Sequence, residues 1–225
     1  MSGFRYPISL EVEGQRCVVV GGGVVAEHKV HGLLAAGADV VVVAAEPSGG
    51  LESLAGEGSV TLVRRAYADG DLEGARLAIA ATDEAAVNAA VYAEGDRRRV
   101  LVNSVDDVEH CHFAVPSVVR RGALTLTVAT GGQAPALAKK LRRALEAEFG
   151  PEYAAVVALV GEVRQQARAQ RAGLGFDTWA QRWEEALDDE VVALVREGHI
   201  EAARRRLLDA LTGDPRDFVN GRVAP

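Results

Sequence analysis

Residues 17–26 read Cys-Val-Val-Val-Gly-Gly-Gly-Val-Val-Ala, an apolar run that stops on three glycines, after which a helical pattern begins. Gly21 to Ala26 fits G-x-G-x-x-A. In such a turn the first glycine permits a tight bend and the second lets the backbone approach a pyrophosphate. The small last residue lets the helix pack close to its strand. Amide N–H groups and the dipole of the helix start then face the phosphates. A glycine-rich turn that holds no ligand is the plainer alternative. Either way the chain is committed to a strand–turn–helix unit, and the next eighty residues repeat that rhythm. A helical pattern runs from about Val25 to Ala36, with Gly37 at the C-cap position. Apolar runs at Val40–Ala45, Val60–Val63, Leu77–Ala81 and Val100–Val102 read as strands. Thr82 or Asp83 is placed to cap a helix ending near Gly95. Unbroken apolar strands are expected where helices cover both sheet faces. The spacing therefore predicts an α/β fold with a Rossmann-type, doubly wound parallel sheet.

The pattern changes near residue 110. Phe113–Val115, Val118-Val119 and Leu124–Val128 read as short strands, and Ala134–Phe149 as a helix with Pro135 in its first turn. Helical spacing resumes from 152 to 212, interrupted at Gly173–Gly175 and near Gly198, and 213–225 reads as a loose tail. Three domains are expected: a dinucleotide-binding one at 1–112, a small central α+β segment at 113–150, and a helical C-terminal one at 151–225. The central segment is too small to enclose a core, so a homodimer that buries it across a two-fold is expected.

Composition excludes several classes. Of 225 residues 48% are apolar, with 25 Lys+Arg against 32 Asp+Glu and a net charge of −7. That is enough apolar surface to offset chain entropy, so a disordered chain is excluded. No apolar run reaches the roughly 18 residues of a membrane span, and the N-terminus lacks a secretory pattern. Cys17 and Cys111 are too few for a disulfide scaffold and suggest free thiols in the cytoplasm. The acidic balance argues against nucleic acid. The basic stretch is 110–150, with 6 basic and 2 acidic residues. An acid is expected about 20 residues beyond the glycine turn, on the ribose. Glu46 ends the second strand there and would repel a 2′-phosphate, favouring NAD; a solvated turn before Pro47 is the other reading.

Four further segments complete a pattern: Tyr6-Pro7-Ile8, Ala80-Ala81-Thr82-Asp83, Val102-Asn103-Ser104-Val105-Asp106, and Thr130-Gly131-Gly132-Gln133-Ala134-Pro135-Ala136. With the glycine turn, this ordered set resembles the precorrin-2 dehydrogenase family, the NAD-dependent part of siroheme synthases. The resemblance covers about 1–150 strongly and the helical remainder more loosely. It implies oxidation of precorrin-2 to sirohydrochlorin, a homodimer and, in some members, insertion of ferrous iron. Carried over by position, Asp106 matches the family's essential aspartate. Val24-Val25 and Ala45-Glu46 match the cofactor-contacting pairs, and Gly21, Gly23 and Thr82 complete the expected cofactor site. Thr130 stands where some members carry a modified serine. Gln133-Ala134, Val108 and His28 depart from the usual residues and bear on the substrate pocket.

Asp106 lies just past the fifth predicted strand, where doubly wound sheets place ligands. A carboxylate there is suited to accept a proton or to stabilise developing positive charge. Turn capping by Asp106 or Asp107 is the structural alternative. Arg120, Arg121, Lys139 and Arg142 are candidate cations for a substrate rich in carboxylates, against an ordinary solvated face. His110 and His112 sit near Asp106, but a packing role is expected and no metal site is assigned. A regulatory NAD-sensing module shares the glycine turn but not the Asn103–Asp106 and Thr130–Ala136 segments. A short-chain reductase is disfavoured because Tyr67, Tyr92 and Tyr153 are followed four residues on by Asp71, Asp96 and Val157, not lysine.

Overall fold

A computed structural model describes residues 6–105, 107, 109–168 and 175–212. Residues up to Val115 form one compact unit and those from Pro116 a second. In the first, β1 (Arg16–Val20) leads through α1 (Val24–Leu34) to β2 (Asp39–Val43), α2 (Gly49–Gly56), β3 (Thr61–Val63), β4 (Leu77–Ala80), α3 (Ala85–Arg98) and β5 (Leu101–Ser104). The five strands are parallel in the order β3-β2-β1-β4-β5. The chain returns to the middle of the sheet between β3 and β4, so the strand order reverses beside β1. Alternate residues of one strand feed two cores. Cys17 and Val19 pack with Val30, Leu33 and Leu51 on one face. Val18 and Val20 pack with Leu72, Val91 and Val102 on the other. Each such valine removed from water contributes about 1.5–3 kcal/mol, which is why β1 and β2 carry valine on both faces.

The structure moves several predicted boundaries. Gly49-Gly50, read as a strand stop, begins α2. Ser48 caps it by accepting from the Leu51 amide and donates its own hydroxyl to Glu27 at 2.6 Å. α3 does not end at Gly95 but continues to Arg98. Gly95 is glycine because an added Cβ would lie 2.2 Å from the Val102 side chain, so α3 packs tightly on β5 there. The predicted strand at Phe113–Val115 is absent. Cys111 instead forms a single antiparallel bridge with Asn103, and the His112 amide donates to the Val102 carbonyl.

In the second unit β6 (Ser117–Arg121) and β7 (Leu124–Val128) form an antiparallel hairpin followed by α4 (Pro135–Glu148). Helices α5 (Tyr153–Gln166), α6 (Phe176–Ala186), α7 (Asp189–Arg196) and α8 (Ile200–Thr212) enclose Val163, Trp179, Val191, Leu207 and Leu211. The predicted tail 213–225 and the break at 173–174 lie outside the described residues.

Candidate functional site

The glycine turn is built by three different constraints. Gly21 has φ +130°, and an added Cβ would lie 2.2 Å from the Ala81 carbonyl oxygen. Gly22, the unspecified position of the motif, is equally restricted, because its Cβ would lie 2.2 Å from the Glu46 carbonyl oxygen. The Ser48 amide donates to the Gly22 carbonyl at 2.8 Å, so the turn is locked onto the end of β2. Gly23 meets nothing within 4 Å and is the N-cap of α1, with no side chain capping the helix start. Ala26 is fully buried against the sheet. The result is a helix N-terminus whose free amides face open space. Val24 and Val25 flank it, 79% and 49% exposed. Two exposed valines beside bare amides leave an apolar and polar surface of the kind a dinucleotide covers.

Beside this turn a cleft of about 380 Å³ is lined by residues that include Val25, Ala81, Thr82, Asn88, Val105 and Asp107. It lies beyond the C-terminal ends of β4 and β5, at the reversal of strand order, where open α/β sheets bind ligands. Thr82 shapes the wall. Its hydroxyl donates to Asn88 Oδ1 at 2.8 Å, and Asn88 Nδ2 returns a bond to the Thr82 carbonyl at 3.0 Å. Thr82 Oγ1 also accepts from the Glu84 amide. The residue that N-caps α3 is Glu84, not Thr82 or Asp83, because the Thr82–Asn88 clasp holds the preceding turn out of the helix. Ala45 and Glu46 are exposed at the end of β2, on the other side of β1 from the β4–β5 wall.

The loop after β5 is cross-braced. Cys111 Sγ accepts from the Ser104 amide at 3.2 Å and lies 3.2 Å from the Ser104 carbonyl oxygen and 3.1 Å from the Asp107 carbonyl oxygen. Asp107 accepts from the His110 amide, and its Oδ2 lies 2.5 Å from His110 Nδ1. These His110 contacts hold the Asp107 carboxyl below the usual carboxylate range. His112 Nδ1 accepts from the Val102 amide at 3.0 Å, which places its proton on Nε2. His110 and His112 both pack on the Tyr92 ring, at 5.2 and 4.7 Å between centroids. Among the described residues no three metal-ligating side chains gather. Asp106 lies outside the described residues.

The family described as putative NAD(P)-binding matches residues 8–117. Siroheme synthase 1 of Serratia proteamaculans is 38% identical over 89% of this chain and 42% of its own length. Siroheme synthase of Chromobacterium violaceum is 38% identical over 90% of this chain and 43% of its own. The chain thus spans less than half the length of these curated relatives. Among solved structures, SirC, precorrin-2 dehydrogenase, matches with a TM-score of 0.70 at 26% identity, covering 88% of this chain and 100% of that one. The chain is thus similar to siroheme synthases over part of their length and to a precorrin-2 dehydrogenase over all of its length.

The candidate cations of the second unit are differently employed. Arg121 donates to the carbonyl oxygens of Phe149, Glu146 and Arg120 at 2.8, 2.9 and 3.0 Å. That satisfies carbonyls at the end of α4, a structural duty sequence reasoning did not assign to it. Arg142 pairs with Glu146 one turn on, at 2.7 Å. Arg120 and Lys139 are exposed. Sequence reasoning also missed Gly22 and Asn88. A third glycine inside the motif was the visible signal for the first. Asn88 carried none, because its burial depends on the turn at Thr82.

Proposed function

We propose that this protein catalyses NAD-dependent oxidation of precorrin-2 to sirohydrochlorin in siroheme biosynthesis. The observation that carries this reading is a pair of coverages. The chain matches less than half of each of those siroheme synthases but all of a precorrin-2 dehydrogenase. The shared part is therefore the dehydrogenase part.

The residues present suit the cofactor. The open face at Gly23, the uncapped start of α1 and the exposed Val24-Val25 pair suit a pyrophosphate and its flanking riboses. Gly21 gives the bend. Ala45 and Glu46 are assigned to the adenine ribose, where the carboxylate accepts from hydroxyls and repels a 2′-phosphate. Thr82 walls the opposite half. Bound there, NAD supplies the hydride acceptor. The chain's own share of the reaction is to orient the macrocycle, exclude water and take up the proton released as the hydride leaves; Asp106 is assigned that proton. Arg120, Lys139 and Arg142 are assigned to substrate carboxylates, with Arg121 contributing only beyond its bonds to the end of α4. Ferrous iron is assigned as a second substrate. A homodimer, a cytoplasmic location and the division into 1–112, 113–150 and 151–225 complete the proposal. No helix among the described residues is long and apolar enough to cross a membrane.

The test mixes the full chain with precorrin-2 and NAD⁺, with and without ferrous iron, following NADH absorbance and the tetrapyrrole spectrum. Turnover to sirohydrochlorin is expected, and siroheme where iron is inserted. Equal turnover with NADP⁺ would remove the assignment to Glu46. Asp106→Asn is expected to lower turnover by about 10²- to 10⁴-fold, with NAD⁺ affinity within about twofold. Near-normal turnover would show that another group takes the proton.

A further inference from the structure

Two carboxylates, Asp83 and Asp107, line the β4–β5 end of the cleft. Asp83 is exposed, and no bond to another described side chain fixes it. Asp107 is oriented. Its Oδ2 lies 2.5 Å from His110 Nδ1, and Oδ1 accepts from the His110 amide at 3.4 Å. The His110 ring meets Tyr92 of α3 near edge-on, with 69° between planes. Tyr92 in turn stacks on His112 at 19°, and His112 is tied to Val102 of β5. The carboxylate is therefore set by an aromatic stack rooted in a helix and a strand, not by a loop side chain alone.

A dinucleotide across this sheet puts its adenine ribose at the acid after β2, and its nicotinamide half over β4 and β5. We propose that the Asp107 carboxylate, oriented by His110, is the counter-charge to the oxidised nicotinamide ring and makes this site prefer NAD⁺ to NADH. The inference rests on the reading of the cleft as an NAD site. The oxidised ring carries a positive charge and the reduced ring none, while the adenosine, riboses and pyrophosphate are common to both. A fixed anion at this end therefore acts on the difference between the two forms. The Asp107 carboxyl, held below its usual range by the His110 contacts, is an anion at neutral pH. Its side chain is 29% exposed and that of His110 35%, so solvent screening limits the preference to about three- to tenfold. Weaker hold on the reduced form also clears the product of an oxidation.

Calorimetric titration of the full chain with NAD⁺ and with NADH, without precorrin-2, reads the ratio directly. Asp107→Asn is expected to weaken NAD⁺ by about three- to tenfold and to change NADH by less than about twofold. His110→Phe, which keeps a ring on Tyr92 but removes the donor, is expected to lose part of the preference. His110→Asn, which keeps a donor near the Nδ1 position, is expected to restore it. Asp83→Asn is expected to change the ratio by less than about twofold, and raising salt is expected to narrow it in the wild type. An unchanged ratio in Asp107→Asn, an equal loss of both forms, or a preference that follows Asp83 overturns the proposal. Wild type that binds neither form refutes the NAD reading itself, and the proposal with it.

Discussion

Gly22 and Gly23 are adjacent and are glycine for different reasons. Gly22 has the Glu46 carbonyl oxygen 2.2 Å from where a Cβ would be, whereas Gly23 has φ −82° and open space. Gly22→Ala is therefore expected to push the turn off β2, lowering both melting temperature and NAD⁺ affinity. Gly23→Ala fits the fold without strain and is expected to leave the melting temperature within about 1 °C. It would still weaken NAD⁺ by about tenfold or more by blocking close approach of the pyrophosphate. Calorimetry and thermal melts on both variants separate the two effects; parallel losses would refute the distinction. Cys17 shows a titration at the same scale. It is fully buried, and burial pushes its thiol up from 9.0 to about 11. The folded state thus holds the proton more tightly than the unfolded chain. The stability this contributes is present below about pH 9 and lost as pH rises through about 11. Melting temperature is expected to fall more steeply over that window in wild type than in Cys17→Ala.

Among the elements, α3 is held by a buried carboxylate. Glu94 is fully buried, accepts from the Gly70 and Leu72 amides at 3.0 and 3.3 Å and from the Tyr67 hydroxyl, and pairs with Arg98 at 2.6 Å. It ties α3 to the segment before β4, and burial, together with the bond to Glu94, holds the Tyr67 hydroxyl above its usual range. Glu94→Ala strands two amides and a guanidinium, so a loss of about 3 kcal/mol is expected by urea unfolding. A loss below about 1 kcal/mol would refute that role. The helix itself was legible from its place between the fourth and fifth predicted strands. Its C-terminus was not, because Gly95 reads locally as a stop, whereas Arg99 takes the left-handed cap conformation at φ 59°. α2 was hidden for a related reason. Two glycines and a proline obscured a helix whose cap, Ser48, is fixed by Glu27 from α1.

At the scale of the whole molecule, the hairpin and α4 leave apolar surface uncovered. Leu137 and Leu141, one turn apart on α4, are 49% and 43% exposed, and Ala138 is the buried residue of that helix. β7 alternates half-buried and exposed positions. This is the surface on which the proposed homodimer rests. Light scattering of the full chain at micromolar concentration is expected to give the dimer mass. Leu137→Glu with Leu141→Glu is expected to shift it toward the monomer, while far-ultraviolet dichroism stays unchanged. A monomeric wild type would refute the assembly.

The sequence by itself determined the parallel sheet and its glycine turn, because unbroken valine runs and G-x-G-x-x-A act over a few adjacent residues. It also placed Asn103 at the end of the fifth strand. Tertiary structure decided what lies far apart in the chain: Gly22 against Glu46, Thr82 clasped to Asn88, Arg121 on the carbonyls at the end of α4, and Asp107 held by a His110–Tyr92–His112 stack. Each depends on backbone groups brought within hydrogen-bond or van der Waals reach only when strands and helices pack, and local spacing carries no record of that approach.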